Sequence, residues 1–162
     1  MKKYLFILVS VLLLLTACGN SEEKNASGPF QFHDISVTIP DGYLEDMSRS
    51  DVDTQWFSSA WTKEQILVYR AAPPVSGKIG EGDTNDAYDE LIQSYDEVSD
   101  YSSSAVSIGD VPALSCRYIQ EEQYVLATYM DIGDHLYGVM MFNQYEYSED
   151  AYRDLIDSLK IR

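Results

Sequence analysis

The chain has 162 residues, with 27 acidic side chains against 11 basic ones and a formal net charge of −16. That balance excludes nucleic acid and anionic headgroups as partners, because phosphate contacts need Lys and Arg. Two cysteines and two histidines, far apart in the sequence, give no readable zinc spacing.

Lys2 and Lys3 form a positive start, and an apolar run follows from Tyr4 to Leu15. The run is too short for a membrane-crossing helix, which needs roughly 20 residues, and fits the apolar core of an export signal. Leu15-Thr16-Ala17-Cys18 then matches a lipobox: a branched apolar residue, two small residues and a cysteine. Residues 1–17 read as a lipoprotein signal peptide, and Cys18 as the lipidated first residue of the mature chain. Two acyl chains on Cys18 hold stably where one binds marginally. The expected location is therefore the extracytoplasmic face of the cell membrane. Loss of Lys2 and Lys3 leaves nine basic against 27 acidic side chains, a net −18.

Residues 18–29 carry this cysteine and a tether (GNSEEKNASGP) too polar to order itself. As a flexible coil it spans roughly 18 Å. Residues 30–162 have the size of one domain with one core.

Phe30 to Ile39 alternates in two pieces around a turn or bulge at His33-Asp34, and Pro40-Asp41-Gly42 ends the strand. Gln55 to Thr62 and Ile66 to Ala72 make a hairpin candidate. Pro73 to Asp83 is a loop. Ala87, Leu91, Tyr95 and Val98 recur at helical spacing, which predicts a helix from Asp86 to Val98 capped by Asp83 or Thr84. Strands follow at Ser103 to Ile108, Val111 to Gln120, Gln123 to Ile132 and His135 to Asn143. The turns between them are Gly109-Asp110, Glu121-Glu122 and Gly133-Asp134, which makes an antiparallel meander. Ser148 caps a last helix with the stripe Ala151, Leu155 and Leu159. Strands grouped apart from helices indicate an α+β domain, an antiparallel sheet flanked by helices.

Val106-Ser107-Ile108-Gly109-Asp110-Val111-Pro112-Ala113, the aromatic strand His135-Leu136-Tyr137-Gly138-Val139 and the closing Ile156-Asp157-Ser158-Leu159-Lys160-Ile161 together resemble the PsbP-like family. So does the opening Val37-Thr38-Ile39-Pro40-Asp41-Gly42-Tyr43. The resemblance covers residues 30–162 and is strongest from Ser103. It implies an α/β/α sandwich. The family's roles are diverse, so it implies no site residue.

His33 and His135 both fall in or beside turns, and no Gly-x-Ser-x-Gly elbow accompanies them. Glu81, Asp83, Asn85 and Asp86 cluster in one loop, but the pattern of a calcium-binding EF-hand is absent. Cys116 reads as a buried small hydrophobe. Of 13 tyrosines many fall on strands, where half-buried tyrosine is ordinary. Tyrosine and tryptophan also suit binding surfaces. The candidate binding residues are therefore Trp56 and Trp61 on the hairpin, with Tyr145 and Tyr147 before the last helix.

These features point to a non-enzymatic binding or accessory module, tethered through Cys18 and acting by contact with a protein partner, without a cofactor or metal. Rival expectations are a small cell-envelope hydrolase with a carboxylate pair and a cation-binding lipoprotein using the acidic loop 81–86.

Overall fold

The computed structural model describes residues 23–162. The expected signal peptide, Cys18 and the first part of the expected tether lie outside the described residues.

Thirteen elements follow in chain order. They are β1 (Glu23–Asn25), β2 (Gly28–Phe32), β3 (Ile35–Ile39), β4 (Tyr43–Asp46), β5 (Thr54–Ser59), β6 (Gln65–Ala71), α1 (Thr84–Gln93), β7 (Ser99–Ile108), β8 (Val111–Gln120), β9 (Gln123–Ile132), β10 (His135–Asn143), α2 (Glu149–Asp157) and β11 (Lys160–Ile161). Eight strands form one antiparallel sheet in the order β1-β4-β5-β6-β10-β9-β8-β7. A second sheet of three strands runs β11-β3-β2.

The meander forms as its turns dictate. Gly109 and Gly133 open two of the two-residue turns at φ +58° and +61°, where glycine carries no Cβ penalty. Glu121 and Glu122 make the third turn with both φ values positive, at +50° and +62°. The hairpin β5–β6 pairs Trp56 with Leu67 and Phe57 with Ile66. β2 and β3 pair as the alternation requires, and His33 turns the chain at φ +50°.

Side chains alternate across the large sheet. Phe57, Val68, Val139 and Met141 face one cluster with the buried residues of β3, Tyr152 and Leu155 of α2, and Leu159. Trp56, Leu67, Tyr69, Tyr129 and Met140 face another with Tyr88 and Ile92 of α1. The expected helical sandwich is met only loosely. Helix α1 covers one face, but α2 shares the other with the three-stranded sheet.

Three further differences have local causes. The helix expected to Val98 ends at Gln93, yet Tyr95 and Val98 still pack on the same cluster. The helical spacing there reports burial, while Glu97 at φ +62° has already turned the chain toward β7. β7 begins at Ser99 rather than Ser103, and a register shift between Ser99 and Ser102 hides the alternation. β1 and the start of β2 fall within the stretch 18–29, expected as an unstructured tether. Glu23 pairs with Asp46 and Asn25 with Leu44, and β2 begins at Gly28. Backbone pairing needs no apolar side chain, so a polar segment can add to a sheet edge.

Candidate functional site

The four predicted binding residues separate. Trp56 is only 3% exposed. It lies mid-strand on the α1 side, stacked on Phe142 at 5.7 Å, with the Arg49 guanidinium 3.7 Å from its ring centroid. It is a core residue, which corrects its assignment to a surface. Trp61 follows the end of β5 and is 86% exposed. Its ring lies over Gly42, close enough that a Cβ there would sit 3.0 Å from the indole. Tyr145 is 71% exposed. Tyr147 is half-buried and committed to structure. Its hydroxyl donates to Asp100 at 2.9 Å, and its ring meets Arg117 at 4.0 Å and Tyr124 edge-on at 5.0 Å.

Trp61 and Tyr145 belong to segments that leave the same end of the sheet, since Phe142 pairs with Gln65. Glu64 ties these segments together, accepting hydrogen bonds from Ser148, Thr62 and Tyr43. Burial alone would raise the Glu64 carboxyl. Hydrogen bonds from Ser148, Thr62 and Tyr43 outweigh it and hold the pKa below the usual value. Ser148 does occupy the N-cap of α2, but its side chain serves Glu64 and Asn143 rather than the helix.

A cavity of about 100 Å³ lies beneath α1. One wall is the helix face with Tyr88, Leu91, Ile92 and Tyr95; the floor is the sheet, with Trp56, Tyr69, Tyr118, Tyr129, Met140 and Phe142. Gly138 permits this floor, because a Cβ there would run into the Tyr69 ring. Tyr118 and Tyr129 place their hydroxyls 3.4 Å apart. Burial pushes the phenols of Tyr69, Tyr88, Tyr118 and Tyr129 up, so they stay neutral at physiological pH. Two buried polar atoms of lining residues have no protein partner, the Tyr88 hydroxyl and Gln120 Nε2. Nearby, burial raises the Asp131 carboxyl, which accepts the Ile79 N–H at 2.8 Å. Cys116 is buried on the same face, 3.6 Å from the Tyr101 hydroxyl, with burial pushing its thiol up to about 12.

The second feature is the free edge of the large sheet. β7 ends the strand order, so one side of its backbone has no strand neighbour. Its ten residues, SDYSSSAVSI, contain no Lys, Arg or Pro, and Asp100 is the one charge. The ladder to β8 is regular from Ser102 to Ile108. Beside it runs an open groove of about 680 Å³, lined by Ser104, Val106 and Arg117 on the sheet and Tyr152, Arg153 and Ile156 on α2.

The remaining candidates are accounted for individually. His33 Nε2 lies 2.7 Å from the Val52 carbonyl and 3.5 Å from Asp53. His135 opens β10 and is exposed. In the acidic loop, Asp83 sits at the N-cap of α1, and Asn85 accepts the Gly80 N–H at 2.9 Å. Among the described residues no group of three or more His, Cys, Asp or Glu side chains is placed to hold a metal ion. Among them also, no helix is long and apolar enough to cross a membrane. Neither the cavity nor the edge was anticipated from sequence; the lining tyrosines Tyr69, Tyr118 and Tyr129 come from three different strands and form no pattern along the chain.

No family model matches the chain, and no curated protein matches it. Solved structures do. The solution structure of cyanobacterial PsbP (CyanoP) from Synechocystis sp. PCC 6803 aligns at TM-score 0.58 and 12% identity, over 91% of this chain and 99% of that one. A crystal structure from Bacteroides thetaiotaomicron VPI-5482 aligns at TM-score 0.54 and 13% identity, over 85% of this chain and 49% of that one. At such identities the likeness is one of fold, and the fold of this chain is PsbP-like.

Proposed function

We propose that the chain is an extracytoplasmic lipoprotein, anchored through Cys18, and that its domain is a non-enzymatic binding module that takes an extended segment of a protein partner along β7. The observation that carries this reading is the character of that edge. Sheet edges left in water are ordinarily blunted by charge, proline, brevity or cover. β7 is ten residues long, and its regular part, Ser102 to Ile108, carries no charge and no proline. An added strand would gain main-chain hydrogen bonds from β7 and lay alternate side chains toward the groove beside α2. The opposite edge, β1, has three residues and offers far less.

Crosslinking and pull-down from intact cells test this. The wild-type protein is expected to capture a defined partner, and Ser104→Lys with Val106→Lys is expected to lose it while circular dichroism stays unchanged. Undiminished capture by the double variant would refute strand addition. Mass spectrometry of the native protein tests the anchor separately, with a diacylglyceryl group on Cys18 expected.

A further inference from the structure

We infer that the segment taken along β7 alternates basic and apolar residues, with Lys or Arg on the α1 side and apolar side chains on the α2 side. This selectivity rests on strand addition at that edge as the mode of docking.

The register fixes which backbone groups are free. Ile108 and Val111 close a two-residue turn and bond each other. Their neighbours Ser107 and Pro112 form the unbonded kind of pair, which suits proline's missing N–H. The two kinds alternate, so Ala105 and Ser103 also turn their N–H and C=O groups away from β8. Residues laid opposite these three positions share their face of the sheet. That face belongs to α1. Ser103 pairs with Cys116 and Ala105 with Leu114, both buried against α1, and Ser103 Oγ donates to Asp89 at 2.9 Å.

Helix α1 runs along the edge. A Cβ on Gly80, ahead of the helix, would meet the Pro112 ring opposite Ser107, while Asp89 reaches Ser103 and Tyr101. Asp86, three residues before Asp89, shares its helical face and lies nearer the Ser107 end. From Ile79 to Val98 the chain holds seven acids and no Lys or Arg. Among the described residues no cation pairs with Asp86 or Asp89. The α2 flank differs. Arg117 is paired with Asp100 and Glu149, Arg153 with Asp150, and Val106 and Ile156 line the groove. Positive charge therefore complements one flank and apolar bulk the other. A second copy of this chain, paired antiparallel along β7, would set its own α1 acids against these and is disfavoured.

Four labelled peptides test this by fluorescence anisotropy with the full mature chain in detergent, at about 0.15 M salt. One is Val-Lys-Val-Lys-Val-Lys-Val. Two carry Gln or Glu in place of Lys, and the last is the block isomer Val-Val-Val-Val-Lys-Lys-Lys. The alternating lysine peptide is expected to bind about tenfold tighter than the glutamine one, as two or three partly exposed ion pairs allow. The glutamate peptide and the block isomer should be weakest. Asp86→Asn with Asp89→Asn should bring the lysine peptide down to the glutamine level and leave the glutamine peptide unchanged. Asp86→Asn alone, at an exposed position, should remove about threefold of the preference. Ala105→Pro deletes an outward N–H, spares the β8 ladder and alters no charge; it should abolish binding of both peptides with circular dichroism unchanged. Equal binding of the lysine and glutamine peptides, a block isomer as tight as the alternating one, or a preference that survives both asparagines would overturn the inference. So would self-association of the chain that Ala105→Pro dissolves. Equal binding that Ala105→Pro abolishes would leave docking on β7 intact and remove only the selectivity. Lysine-peptide binding that survives Ala105→Pro would remove both.

Discussion

The two faces of the large sheet use the same strands and end differently packed. On the α2 side, Phe57, Val68, Val139 and Leu155 are fully buried, and the Tyr152 hydroxyl meets Thr128 at 2.6 Å. On the α1 side, tyrosines crowd a cavity and the Tyr88 hydroxyl is unpaired. Alternation divides the side chains equally, so the strands alone do not account for this. The cover does. One face meets a helix together with a three-stranded sheet; the other meets a ten-residue helix and the loop that precedes it. A packed core depends on what is laid over a strand as much as on the strand itself.

The largest expected contrast comes from truncation on each side. Phe57→Ala should cost about 4 kcal/mol, whereas Leu91→Ala, at a wall that is already half-open, should cost about 1 kcal/mol; urea unfolding of both measures the gap. Gly138→Ala should cost about 2 kcal/mol by displacing the Tyr69 ring.

A hydroxyl deletion on each face sharpens the comparison. Tyr152→Phe strands buried Thr128 and should cost about 1.5 kcal/mol, while Tyr88→Phe removes an unpaired group and should change stability by less than about 0.5 kcal/mol. A further test concerns the link to α2. Glu64→Gln should cost about 1 kcal/mol at neutral pH. The Glu64 pKa is lower folded than unfolded, so its contribution is present above the unfolded value and lost as pH falls through the folded one. Wild type and variant should therefore converge in urea titrations as the pH drops below about 4.3.

Legibility in the sequence followed the range of the interactions involved. The meander β8–β10 was readable because two-residue turns set its register locally. β7 was readable only from Ser103, since Ser99 to Ser102 holds a bulge with Asp100 at φ +51° and no apolar pattern. β1, β4 and β11 are short segments whose pairing partners lie at a distance in the chain. Trp56 was misread because a hairpin pattern shows that neighbours alternate, not which side carries a helix. The cavity was invisible for a similar reason: it is formed jointly by α1, five strands and one glycine, none of which announces the others.

The short strand β1 has one more consequence. Glu23 is already bound to β4, so with a lipid on Cys18 the leash is the stretch before it, at most about 17 Å when fully extended. β1 and β7 stand at opposite margins of the eight-stranded sheet, about 34 Å apart at ordinary strand spacing. Such a molecule would be moored along one margin and would hold the other up toward whatever passes above the lipid.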